Sequence, residues 1–211
     1  GFDINTYQWV AQQVIEDYLI FFNTNSVLLH PNWCDIYTKH ITKSTGAISA
    51  TASFNSHINT VLQENNFHYN RKLSFKENLA SYKMLLKAIF IWPFLYKKFP
   101  NPHIRTNAFL INRKVFLTLN IKNPLKSKRE AYLAESGRNS ITQQLLRKNL
   151  KVGVVNNNGD YFDLQEAYKA NTFWNNQQEN LLVADNQTEL YKNANETQKK
   201  QLSLLAWGNF K

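Results

Sequence analysis

The feature that most restricts the fold is a five-residue apolar run, Tyr18-Leu19-Ile20-Phe21-Phe22, cut off by the polar stretch Asn23-Thr24-Asn25-Ser26. A run so short and so aromatic reads as a strand. With no apolar–polar alternation, it reads as one covered on both faces, hence an interior strand of an α/β sheet. Its flanks agree. Before it, Tyr7, Val10, Ala11 and Val14 fall at helical spacing within residues 5–17. After it, Pro31 opens a helix that runs to about Ile41, proline being suited to a first helical position. Gly46-Ala47-Ile48-Ser49-Ala50 then reads as the next strand. Helix, strand, turn, helix, strand is the order of a parallel α/β sheet.

The remainder continues the alternation. Residues 74–99 are apolar and basic and read as a helix up to Trp92-Pro93, where the proline ends or kinks it. Thr106–Ile111 reads as a strand, Arg113–Leu119 as a short helix, and 126–150 as helix interrupted at Ser136-Gly137. Val152–Val155 is a strand closed by the turn Asn156-Asn157-Asn158-Gly159. Residues 161–193 are mostly loop and short helix, and an amphipathic helix covers about Asn195–Trp207.

Composition narrows the function classes. At 211 residues, with 43% hydrophobic and 14% aromatic residues, the chain can bury a substantial core. A net charge of +10 and a pI near 9.6 attract anions of any kind, including nucleic acid, an anionic membrane and diphosphates. The basic residues are scattered, and neither zinc-finger spacing nor an RNA-binding aromatic motif accompanies them, which argues against nucleic acid. One cysteine excludes an intrachain disulfide, and its apolar setting predicts that Cys34 is a buried structural thiol. The histidines lack two-ligand spacing, so no metal-ligating group is expected. No apolar run reaches the ~18 residues of a membrane span.

Two blocks carry a resemblance. Gly1-Phe2-Asp3-Ile4-Asn5-Thr6-Tyr7, then Asp17 to Ser26, Pro31-Asn32-Trp33 and Gly46-Ala47-Ile48, form the first; Asn107-Ala108-Phe109-Leu110-Ile111-Asn112-Arg113-Lys114-Val115-Phe116, followed by Glu135, Ile141–Asn149 and Val152–Val155, form the second. Together they resemble inverting GT-A glycosyltransferases of the bacterial polysaccharide type, over about residues 1–56 and 104–163. The resemblance implies a partial GT-A, Rossmann-like mixed sheet flanked by helices. Residues 1–163 would be the acceptor-side part, with 74–100 as a helical insertion, and 164–211 a C-terminal loop-and-helix extension packed on it. It has no counterpart of the family's nucleotide-binding half before Gly1, and it implies that this chain alone is inactive while the full-length protein is an enzyme.

The same resemblance names site residues. The DxD position, where the family holds Mg²⁺ or Mn²⁺ against the donor diphosphate, is occupied by Asn23-Thr24-Asn25. Neutral amide oxygens weaken any such metal in the full-length enzyme. Asn23 and Asn25 are read either as donor contacts at the carboxyl end of a strand or as plain turn residues. Glu135 takes the place of the general base, its bland alternative being a solvated glutamate near a helix start. Arg138 either meets the donor diphosphate or pairs with Glu135. Asp3 is a further donor contact, and Arg105 a weaker anion-binding candidate. Trp174 beside Phe173 is a sugar platform or, by default, core.

The expected partners are a nucleotide-sugar donor and a glycan or lipid-linked acceptor, in the cytoplasm or peripherally at the inner face of the membrane. Residues 76–98, with Leu79, Tyr82, Leu85, Leu86, Ile89, Phe90, Trp92 and Phe94 beside Lys76, Lys83, Lys87 and Lys97, either cover the sheet or lie on an anionic membrane. Covering the sheet is the ordinary use of such a helix. Two other functions stay open: a non-catalytic GT-A-like interaction module, and a basic nucleic-acid-binding domain.

Overall fold

A computed structural model describes residues 3–60 and 75–209. In chain order these fold as α1 (Asp3–Gln13), β1 (Tyr18–Phe22), β2 (Val27–Leu28), α2 (Trp33–Thr38), β3 (Thr45–Ser49), β4 (Ala52–Ser53), α3 (Phe75–Phe90), α4 (Trp92–Leu95), β5 (His103–Ile104), β6 (Ala108–Asn112) and α5 (Arg113–Leu117). There follow α6 (Lys128–Ser136), α7 (Ile141–Arg147), β7 (Lys151–Val155), β8 (Tyr161–Asp163), a 3₁₀ segment (Leu164–Ala170), β9 (Val183–Ala184), α8 (Asn186–Lys192) and α9 (Glu196–Trp207).

Five strands form one mixed sheet in the order β1-β6-β3-β7-β8. β6 is antiparallel to both β1 and β3, so those two run the same way, and β7 joins β3 in parallel. The carboxyl ends of β1, β3 and β7 therefore share one rim with the amino end of β6. Side-chain alternation along β6 divides the core. Phe109 and Ile111 face Tyr7, Phe116, Ile141, Leu145 and Trp207 on one side. Ala108 and Leu110 face Ile36, Tyr37 and Leu182 on the other. This is an α/β fold with helices on both faces, ending in a helical extension whose Trp207 indole donates to the Phe173 carbonyl at 2.6 Å.

Three expectations are corrected. Among the described residues no strand pairs with the outer side of β1, so it is an edge and not an interior strand. Its unbroken apolar run has another cause, since both of its faces are occupied. Tyr7 stacks on Phe21 at 4.5 Å on one face, and Trp33 packs edge-on against Phe22 at 5.3 Å on the other. Cys34 is exposed on the short helix α2, whose inward positions are Ile36 and Tyr37. Pro93 stands in the first turn of α4, where its missing N–H costs nothing, so it opens a short helix after the kink. For Trp174 and Phe173 the contacts are those of the default, packing reading: Trp174 stacks on Phe173 at 4.6 Å, and Arg105 covers the Phe173 ring at 4.2 Å.

Arg105 also fastens the C-terminal extension to the rim. Its Nη2 donates to Asp185 Oδ2 at 2.7 Å, with both side chains nearly buried, and Asp185 caps α8 by accepting from Gln187 and Thr188. Burial pushes the Asp185 carboxyl up. The Arg105 charge and hydrogen bond, joined by the two backbone N–H groups, more than reverse this and hold it below its ordinary 3.8. A depressed carboxylate stabilises the fold above its unfolded value and loses that contribution as pH falls through the folded one. Asp185→Asn is therefore expected to cost about 3 kcal/mol in a denaturant melt at pH 7, leaving a buried guanidinium uncompensated. The gap to the parent protein should narrow below pH 4; an unchanged midpoint at neutral pH would show that the pair does not hold the extension.

Candidate functional site

The rim is built around the two residues that precede β6. Asn107 is buried, and its carbonyl accepts from the Asn23 amide at 2.8 Å and from Ser26 Oγ at 3.2 Å, fixing the turn that ends β1. Its side-chain oxygen accepts from Thr51 Oγ1 at 3.0 Å, which ties in the end of β3. Thr106, one residue earlier, donates its backbone N–H at 3.2 Å and its hydroxyl at 2.5 Å to Glu135 Oε2. Asn23 and Glu135 thus come to adjacent residues of one loop.

Glu135 does not stand near a helix start. It lies in the last turn of α6, which begins at a Ser127 cap and ends at Gly137. There the helix dipole presents its negative end, which disfavours a carboxylate by roughly 0.3–1 kcal/mol. The bland reading of a glutamate favoured by the macrodipole is therefore removed. The two donors of Thr106 offset the unfavourable field and fix one oxygen, leaving Oε1 outside this pair of bonds.

Glu135 opens on a cleft of about 280 Å³ that is also lined by Asn55, His57, Met84, His103 and Tyr132. The two imidazoles were not singled out by sequence reasoning, because each is alone in its segment and gathers here only through tertiary structure. His103 is buried, and its Nδ1 lies 2.7 Å from the Asn101 carbonyl. A carbonyl only accepts, so Nδ1 carries the proton. Burial pushes the His103 imidazole down; the Glu135 charge and the Asn101 carbonyl raise it, and Arg105 lowers it further. The net lowering keeps the ring neutral at physiological pH, with Nε2 as an acceptor. His57, stacked on Trp92 at 4.5 Å, is lowered by burial and by Arg129.

The other expected residues fall into place as follows. Asp3 is exposed in the first turn of α1, where a carboxylate suits the dipole. Its charge acts with that of Glu135 on Tyr7, whose hydroxyl is raised first by burial, then by Asp3, then by Glu135. Tyr7 Oη is buried with no hydrogen-bond partner, and so is Asn107 Nδ2. Arg138 is not brought to Glu135. Its backbone N–H bonds Leu95 O and its Nε bonds Pro93 O at 2.6 Å, and it lines a separate cavity of about 250 Å³ with Phe94, Lys122 and Leu133. Arg105 is spent on Asp185.

No family model, curated protein or solved structure significantly matches the chain. The chemistry must therefore be argued from the rim itself.

A hard divalent cation does not fit the turn after β1. The Asn23 side-chain oxygen already accepts from the Asn25 amide at 3.1 Å and Ser26 Oγ at 2.9 Å, and it is neutral. Among the described residues no three His, Cys, Asp or Glu side chains gather as a ligand set. What the cleft offers is a fixed carboxylate beside a neutral imidazole, a pair suited to accepting a proton from a hydroxyl. Because the Glu135 charge raises His103, Glu135→Gln is expected to lower the His103 pKa, read by NMR titration of the ring. An unmoved His103 resonance would separate the two groups.

Proposed function

We propose that this chain is the acceptor-side part of a GT-A-type glycosyltransferase that uses a nucleotide-sugar donor. The observation that carries the reading is the Glu135 carboxylate, held by Thr106 against an unfavourable helix end on the carboxyl rim of the mixed sheet. Ligands of open α/β sheets bind at that rim. The resemblance in residue order at 17–26 and 107–116 supports it from the sequence side.

In this reading Glu135 takes the proton of an acceptor hydroxyl as its oxygen forms a bond to the anomeric carbon. The bond from that carbon to the nucleoside diphosphate breaks, and the diphosphate leaves with the electron pair. His103, whose ring the Glu135 charge raises against its burial, stands in the same cleft as a neutral acceptor. The Asn23–Asn25 turn offers hydrogen bonds to donor hydroxyls through groups its own turn leaves over. No step passes through a metal.

The test is turnover of a panel of nucleotide sugars by the full-length gene product and its Glu135→Gln variant. The carboxamide is expected to lower kcat by at least ~10²-fold with donor affinity little changed, the pattern of a group that acts only in the transition state. Equal kcat in variant and parent would remove Glu135 from the chemistry. Absence of any sugar transfer by the parent would favour the non-catalytic module.

A further inference from the structure

Helix α3 does not cover the sheet. Its inward side is narrow, with Ala88 buried and Leu85 partly so, while Leu79, Tyr82, Leu86, Ile89 and Phe90 stand exposed. Tyr82 retains 67% of its accessible surface, Leu86 53% and Phe90 66%, and Phe94 on the following α4 retains 80%. These are not scattered positions. At about 100° per residue, Leu79, Tyr82, Leu86, Ile89 and Phe90 fall within roughly one third of the helix circumference, directly opposite Ala88. A continuous apolar stripe of this kind normally faces a core; left in water it marks a binding surface.

We infer that this stripe is a docking surface for an anionic lipid bilayer, on which α3 lies in the plane of the headgroups. Charge selects this occupant. Lys83 and Lys87, both exposed, run along one flank of the stripe, and Lys98 follows just beyond α4. From Asn78 through α4 to Lys98 the sequence holds four Lys and not one Asp or Glu, on a chain of net charge +10. A protein groove would need acidic residues of its own to match such a flank, whereas an anionic leaflet presents them everywhere. Tyr82, Phe90 and Phe94 add aromatic rings suited to the headgroup level. At 16 residues α3 is too short to span, and no described helix is long and apolar enough to cross a membrane.

The placement has a consequence for the cleft. Met84 lines the Glu135 cavity from the other side of the helix, about 170° around from the stripe, so α3 stands between that cleft and the docking surface. The inference itself rests on exposure and charge alone and stands whether or not the chain transfers sugar.

The test is cosedimentation of the chain with vesicles of phosphatidylcholine containing about one third phosphatidylglycerol, against vesicles of pure phosphatidylcholine. The parent is expected to partition onto the anionic vesicles and to be released by salt. Leu86→Asp/Phe90→Asp should weaken that partitioning by at least ~10-fold. Lys83→Gln/Lys87→Gln removes only charge from exposed positions and should weaken it by a similar factor. Circular dichroism and thermal melting confirm that both variants stay folded; should the aspartate pair unfold, the glutamine pair decides alone. Failure of the parent to bind anionic vesicles overturns the proposal, as does undiminished binding by the folded variants. Concentration-dependent dimerisation that the aspartate pair abolishes, without vesicle binding, assigns the stripe to a second copy instead.

Discussion

Strand β6 runs against both of its neighbours, and the rest of the molecule depends on that reversal. Were it parallel, its amino end would lie at the far side of the sheet, away from the ends of β1, β3 and β7. Reversed, it carries Thr106 and Asn107 to the rim where those strands finish. Asn107 then gathers the turn after β1 and the end of β3 onto its own polar groups, and Thr106 holds Glu135. Four buried residues, Ala108, Phe109, Leu110 and Ile111, fix the strand in register by filling both layers of the core. A slip of one residue would turn Phe109 and Ile111 into the smaller layer.

Much of the fold was legible because local pattern and tertiary demand coincide. The boundaries of β1 follow from where apolar residues stop, and the span read for α9, about Asn195–Trp207, starts at its Asn195 cap. Sequence did not reveal that β1 is an edge strand. An apolar run reports that both faces are covered, and Tyr7 and Trp33 cover them with no need of a second strand neighbour. Nor did it reveal the fate of α3: its apolar spacing is that of a core helix, and only exposure in the folded chain separates core from docking surface. The two-residue strands β2, β4, β5 and β9 are too short for any periodicity and exist because their partners are brought alongside.

The site was legible in parts. Glu135 and Asn23 were named through residue order; the fold brings them to neighbouring residues of one loop, but neither Asn23 nor Asn25 lines the cleft on which Glu135 opens. The local setting of Glu135 was misjudged, since a glutamate before a glycine reads equally as the end of one helix or the approach to the next. Arg138, placed beside it by spacing, turns to the Pro93 and Leu95 carbonyls because these lie unpaired at the end of α4. His57 and His103 carry no sequence signal. They reach the cleft from segments 46 residues apart, and nothing short of the fold relates them.

The structure joins two features: a carboxylate fixed beside a small cleft, and an apolar, cationic helix turned outward whose opposite side, at Met84, lines that cleft. The most direct test of the central claim is a crystal structure of the full-length gene product with a nucleotide sugar. It is predicted to place the sugar at the carboxyl rim, between the Asn23–Asn25 turn and Glu135, with the anomeric carbon facing the Glu135 carboxylate. A nucleotide sugar seated at the opposite end of the sheet, or no binding of any donor tried, would contradict the account.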